Sequence, residues 1–245
     1  MAAKTRRDSI YVVYEGYREG YFLEHLSKLS AVHLNPVLCN GGNANQIVTT
    51  GIKHSARNVN VYVFFDEDFQ SKPGYTISDE ALEGLEKAWK IDTSLKECAY
   101  RDLQASNKTM RNPILIVSYP QSIEGLLLRL LGKPLQDLES KTTQELKNML
   151  ASLDNIKPND EDNEIIQRCD RKIAQYSDEI ARLQKSEPEN KKRRQYLEAK
   201  IRECGQNKNK VHFMRFLSEK LPLPVIADKR ADITEADILL KAFGL

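Results

Sequence analysis

No two cysteines stand close enough in the chain to seed a zinc cluster or a redox motif. Cys39, Cys98, Cys169 and Cys204 are widely separated and form no C-x-x-C pair, so a reducing compartment is the default expectation. The four histidines, His25, His33, His54 and His212, show no H-E-x-x-H or comparable ligand spacing, and zinc chemistry is not expected. Long apolar runs are missing as well; nothing approaches the roughly 20 residues that cross a bilayer. The opening Met-Ala-Ala-Lys-Thr-Arg-Arg-Asp is basic but lacks the apolar core of a signal peptide. A cytosolic protein without membrane contact is expected. Nor is there an excess of either charge: 37 Lys plus Arg face 35 Asp plus Glu. That excludes a histone-like polycation and an acidic disordered tail. A G-x-G-x-x-G loop and a G-x-x-x-x-G-K-[ST] loop are both absent, which argues against a dinucleotide oxidoreductase and a P-loop ATPase.

What is present is an ordinary globular composition, 40% hydrophobic and 29% charged over 245 residues, enough for one large domain or two small ones. Ile10 to Tyr14 is a β-branched and aromatic run that reads as a buried strand and stops at Glu15-Gly16. A helix is expected across Tyr17 to Ser30, a second strand over Val32 to Cys39, and a helix over Ala44 to Ala56. Val59 to Phe65 is a second strong strand, ending at Asp66-Glu67-Asp68. Ser78 to Lys90 reads as a capped helix, Ile114 to Val117 as another buried strand, and Glu124 to Leu131 as a buried helix. Strands alternating with helices predict an α/β domain over 9–135, a parallel sheet with helices on both faces.

Beyond Gly132 the texture changes, and 136–245 is expected to be mainly helical, with a strand only at Leu223 to Ala227. Ile166, Cys169, Ile173, Tyr176, Ile180 and Leu183 recur at alternating spacings of three and four, a heptad seam. Ser186 to Asn190 interrupts it, and Leu197, Ile201 and Cys204 resume it. Two such helices form an antiparallel hairpin whose seams pack on each other, or which projects as an arm for a partner, a second copy of the chain or nucleic acid.

The acids carry the chemistry. Glu15 follows one strand, and Asp66 and Asp68 follow another. In an open parallel sheet the strand C-termini share the edge where sites form. Three converging carboxylates repel one another unless protonated or shared with a cation, and a hard divalent ion, Mg²⁺, is the economical solution. Glu124 opens its helix at the same sheet edge, where it faces either the helix dipole or the acidic site. Glu19, one turn beyond Glu15, is expected to face solvent.

These residues resemble a family. Tyr14-Glu15-Gly16, then Glu19-Gly20-Tyr21-Phe22, then Phe65-Asp66-Glu67-Asp68 are similar to the Toprim signature of a strand-end Glu followed by D-x-D. The segment Ser118-Tyr119-Pro120-Gln121-Ser122-Ile123-Glu124-Gly125-Leu126 resembles RloB-like and OLD-family nucleases and the Toprim nuclease of the PARIS anti-phage system. The resemblance covers about Ser9 to Leu131. It implies Mg²⁺- or Mn²⁺-dependent phosphodiester cleavage, with Glu15 as ligand or acid/base and Asp66 and Asp68 as ligands. It also implies a bacterial anti-phage setting, tRNA or DNA as target, and an ATPase supplied by a separate chain. OLD-type nucleases use a later lysine, for which Lys229 stands as a candidate by position.

Other D-x-D chemistries fit less well. Haloacid-dehalogenase phosphatases place the motif on the first strand with Thr or Val two residues on, where Gln70 stands here; a glycosyltransferase leaves Glu15 unexplained. The alternative of another class is a non-catalytic interaction protein docking on an ATPase or inhibitor. Finally, Lys191, Lys192, Arg193, Arg194, Lys200, Arg202, Lys208 and Lys210 place eight cations between residues 190 and 210 against Glu198 and Glu203, a net of +6. Such a stretch either holds phosphates, with Tyr196 stacking on a base, or is a solvated helix face.

Overall fold

The computed structural model describes residues 9–39, 44–55, 60–66, 100–102, 114–183 and 188–245. Asp68, Cys98 and the helix expected over 78–90 lie outside the described residues. The chain forms two compact units, one of Met1–Asp154 with Lys220–Leu245 and the other of Asn155–Glu219. The expected boundary near residue 135 differs from this division: the chain returns to the first unit after the second.

The first unit holds a five-stranded sheet. Its strands are β1 (Ser9–Tyr14), β2 (His33–Leu38), β3 (Val61–Asp66), β4 (Tyr100–Asp102) and β5 (Ile114–Ser118), in the spatial order β2-β1-β3-β5-β4. β2, β1, β3 and β5 run parallel, while the three-residue β4 pairs antiparallel with β5 at the edge. The expected parallel α/β class is therefore observed. β1 and β3 lie centrally and are built from Val12, Val13, Val63 and Phe64, all fully withdrawn from water. Such residues suit a pleat covered on both sides.

Two crossovers position the helices. α1 (Tyr17–Leu29) connects β1 to β2, and α2 (Ala44–Ser55) carries the chain from β2 back to β3. The two connections run in opposite directions across the sheet, so right-handed crossovers put α1 and α2 on opposite faces. α1 buries Phe22, Leu23 and Leu26. α3 (Ile123–Leu130) follows β5 and is buried on nearly every side through Leu126, Leu127, Leu128 and Leu130. It packs on α4 (Thr143–Leu153), whose start is fixed by a capping box between Thr142 and Glu145.

The end of the chain completes this unit. Leu223 to Ala227, expected as a strand, belongs to the short helix α7 (Leu223–Asp228). Pro224 falls in its first turn, where a missing N–H costs nothing, and this outweighs the β-branched appearance of the run. α8 (Thr234–Phe243) packs against α1, β4 and β5. His25 of α1 also contacts the carbonyl of Leu221 through its Nε2 at 2.9 Å.

The second unit is the helical pair, α5 (Asp160–Arg182, 23 residues) and α6 (Pro188–Lys220, 33 residues). At 1.5 Å per residue they are about 35 and 50 Å long. α5 begins in a capping box between Asn159 and Asp162. Ion pairs join Arg193 to Glu179, Lys208 to Asp170 and Arg215 to Asp162. Partner numbers fall along α5 as they rise along α6, so the two helices run antiparallel as expected. Only Cys169, Leu197 and Cys204 of the seam are buried; Ile166, Ile173, Tyr176 and Ile180 stay half-exposed. Among the described residues no helix is long and apolar enough to cross a membrane.

Candidate functional site: a carboxylate cluster at the sheet edge

β1 and β3 are neighbours, with Tyr14 opposite Phe64. Glu15 therefore leaves the sheet beside the end of β3, where Asp66 is the last strand residue, and adjacent parallel strands lie about 4.8 Å apart. Asp66 is aligned with Ser118 across the β3–β5 pairing. Its Oδ1 accepts a 2.8 Å hydrogen bond from the N–H of Ile123, the first residue of α3. That free helix N–H and the positive end of the helix dipole both favour the charged carboxylate.

Glu19, expected in solvent, is only 4% exposed. It occupies the third position of α1, and its side chain folds back over Gly16, where a Cβ would stand 2.9 Å from Oε2. Burial, and then the charges of Glu124 and Glu15, push its carboxyl up to about 7, against a hydrogen bond from its own backbone and one shared with Asp66 that pull it down. A hydrogen bond between two carboxyls needs a proton on one of them, and that relieves the repulsion of crowded carboxylates.

Glu124 lies within the same cluster and is 1% exposed. Its partner is Arg18 of α1, whose Nη1 donates to Oε1. A buried carboxylate without such a cation is costly, so Arg18 is part of the site although no local pattern marks it. Lys229 caps α7, and its described ion pair is with Asp228 at 3.8 Å.

The loop between β5 and α3 holds the cluster's far wall. Its Tyr119–Pro120 peptide is cis, and Gln121 sits at φ 64°, in the left-handed region. The N–H of Ser122 closes a tight turn onto the Pro120 carbonyl at 2.7 Å. Gly125 is obligatory, because a Cβ there would fall 2.0 Å from that same carbonyl oxygen. From outside, Arg129 of α3 donates to the Tyr119 carbonyl at 3.1 Å and to Glu235 of α8 at 2.7 Å. Glu235 is fully buried; burial raises its carboxyl and Arg129 opposes that rise. A non-glycine left-handed residue held by surrounding structure is strain of the kind found at functional sites.

The donor set suits a hard divalent cation. Every converging group is a carboxylate oxygen, and Ser118 Oγ and Ser122 Oγ, buried at the same edge, have no hydrogen-bond partner among the described residues. As they stand the carboxylates are engaged with Arg18, with the Ile123 N–H and with each other. Accordingly, no three acidic, histidine or cysteine side chains among the described residues form a ready metal shell.

The basic stretch of α6 divides into paired and free cations. Arg193, Arg194, Lys200 and Lys208 pair with Glu179, Glu198, Glu203 and Asp170. Lys191, Lys192 and Arg202 are exposed with no acidic partner among the described residues.

The chain was compared with family models, with curated proteins and with solved structures, and no match was found in any of the three.

Proposed function

We propose that this chain is a divalent-metal-dependent nuclease of the Toprim type, cleaving phosphodiester bonds of tRNA or DNA as an effector of bacterial anti-phage defence. The supporting observation is the gathering of Glu15, Glu19, Asp66 and Glu124 at the C-terminal edge of the parallel sheet, with two of the four buried. Burying mutually repelling acids serves no packing purpose that apolar residues would not serve better. Glu15 and Asp66, with Asp68 two residues on, would hold Mg²⁺ or Mn²⁺. A bound ion of this kind supplies Lewis-acid polarisation of a phosphoryl oxygen. The chain's own residues do the rest. Arg18 balances the charge of Glu124, the first turn of α3 orients Asp66, and buried Glu19 hydrogen-bonds to Asp66.

The test is incubation of wild type, Glu15→Ala and Asp66→Ala with Mn²⁺ and total tRNA, plasmid or single-stranded DNA. Each variant is expected to lose at least about 100-fold in cleavage rate, the order seen when a key electrostatic group is removed, with an unchanged far-UV circular dichroism spectrum. Wild-type rates in either variant would refute the reading. A second reading, a non-catalytic protein docking on an ATPase or inhibitor, is favoured by the internal engagement of Glu124 with Arg18. It requires that calorimetry detect no Mn²⁺ binding.

A further inference from the structure

Tyr196 is 51% exposed, more than any other large hydrophobic side chain among the described residues. It stands on α6 between Arg193 and Lys200, at spacings of three and four residues, so all three share one helix face. The guanidinium carbon of Arg193 lies 5.3 Å from the Tyr196 ring centroid, and the Lys200 ammonium lies 5.9 Å from it. Both cations are held by exposed carboxylates, Arg193 by Glu179 and Lys200 by Glu203, each at 2.7 Å. Tyr176, half-buried on α5, is near enough to act electrostatically on both.

We infer that this face of the helical pair is a stacking site for single-stranded nucleic acid, with a base on Tyr196 and the flanking phosphates on Arg193 and Lys200. Three observations fix the occupant's chemistry. The surrounding stretch nets +6, and Lys191, Lys192 and Arg202 are exposed cations without described acidic partners, so the ligand is a polyanion. Exposed ion pairs are weak and a phosphate readily displaces their carboxylates, which until then hold the two cations in place. An exposed aromatic ring between cations adds a flat surface for a base, and only an unpaired base presents its face. A duplex would meet the cations and leave the ring unused.

The inference deepens the nuclease reading by naming the state of the substrate strand, yet binding needs neither metal nor cleavage, so the two fail separately. The experiment is fluorescence anisotropy of the full-length chain in EDTA, with a labelled single-stranded oligonucleotide of about 12 residues and the matching duplex as probes. Tyr196→Ala is expected to weaken single-strand binding about 10-fold and leave duplex binding unchanged, while Tyr196→Phe retains wild-type affinity. Lys191→Glu with Lys192→Glu is expected to lower affinity for both probes and flatten the salt dependence. Equal single-strand affinity of Tyr196→Ala and wild type overturns the inference. So does an equal loss on the duplex, or competition by poly-glutamate as strong as by unlabelled oligonucleotide. Binding of this kind without Mn²⁺-dependent cleavage would refute the nuclease reading and leave the site standing. Because Tyr196 is exposed, its substitution leaves the fold intact, which the melting temperature checks.

Discussion

The α/β unit and the helical pair carry charge in opposite ways. In the first, Glu19, Glu124 and Glu235 are almost wholly removed from water, and two of them are matched one to one with an arginine from another helix. In the second, Arg193, Lys200 and Lys208 meet their acids on the surface, where water and salt weaken the attraction. Buried acids are paid for by the rest of the fold; surface pairs cost and contribute little. The first arrangement is held fixed by the fold, and the second is a surface that can exchange partners.

Three variants probe this contrast. The largest effect is expected from Gly125→Ala. A methyl group 2.0 Å from the Pro120 oxygen forces the loop or α3 to move, and with α3 goes the N–H that holds Asp66. Overpacking of this kind costs about 1–3 kcal/mol or more, and metal-dependent cleavage should fall with it. A wild-type melting temperature would show that the loop is not the rigid wall described.

Next is Glu19→Gln, studied in EDTA as melting temperature against pH. The folded carboxyl titrates at about 7 and the ordinary value is 4.5. Between those values the folded chain keeps a proton that the unfolded chain has released. Stability is therefore full below pH 4.5 and declines as pH rises to 7. Glutamine cannot ionise, so the variant should match wild type at pH 4.5 and exceed it by at most about 3 kcal/mol at pH 8. Parallel curves across that range would place Glu19 in solvent after all. The smallest effect is expected from Glu203→Ala, which frees the Lys200 ammonium: the melting temperature should hold within about a degree. A large drop would erase the distinction between the two units.

Much of the scaffold was legible because it rests on local pattern. The apolar runs of β1, β3 and β5 and the amphipathic spacing of α1 each announce their element within a few residues. The helix seams of α5 and α6 did the same. β4 has three residues and no period to read, and α7 reads as a strand in sequence because Val225-Ile226 outweighs the signal of Pro224. Within the cluster, Glu15, Asp66 and Glu124 are legible because they sit at strand or helix ends. The burial of Glu19 is not legible for a physical reason: hydropathy assigns any glutamate to solvent, and only tertiary contact with Asp66 and Glu124 reverses that. The flanking Gly16 was the one local sign, since it leaves room for the folded-back side chain. Arg18, Arg129 and Glu235 belong to pairs separated by 106 residues, a distance over which sequence patterns are silent.

That separation has a consequence for how the molecule is made. Arg129 leaves the ribosome long before Glu235, and at roughly 5–20 residues per second the interval is on the order of 5–20 s. During it the helical pair, Asn155–Glu219, is synthesised in full, while the loop carrying Tyr119 still lacks the carboxylate that anchors its arginine. The cation-rich arm thus exists before the sheet edge is braced, and the last elements of the α/β unit to appear are the ones that brace it.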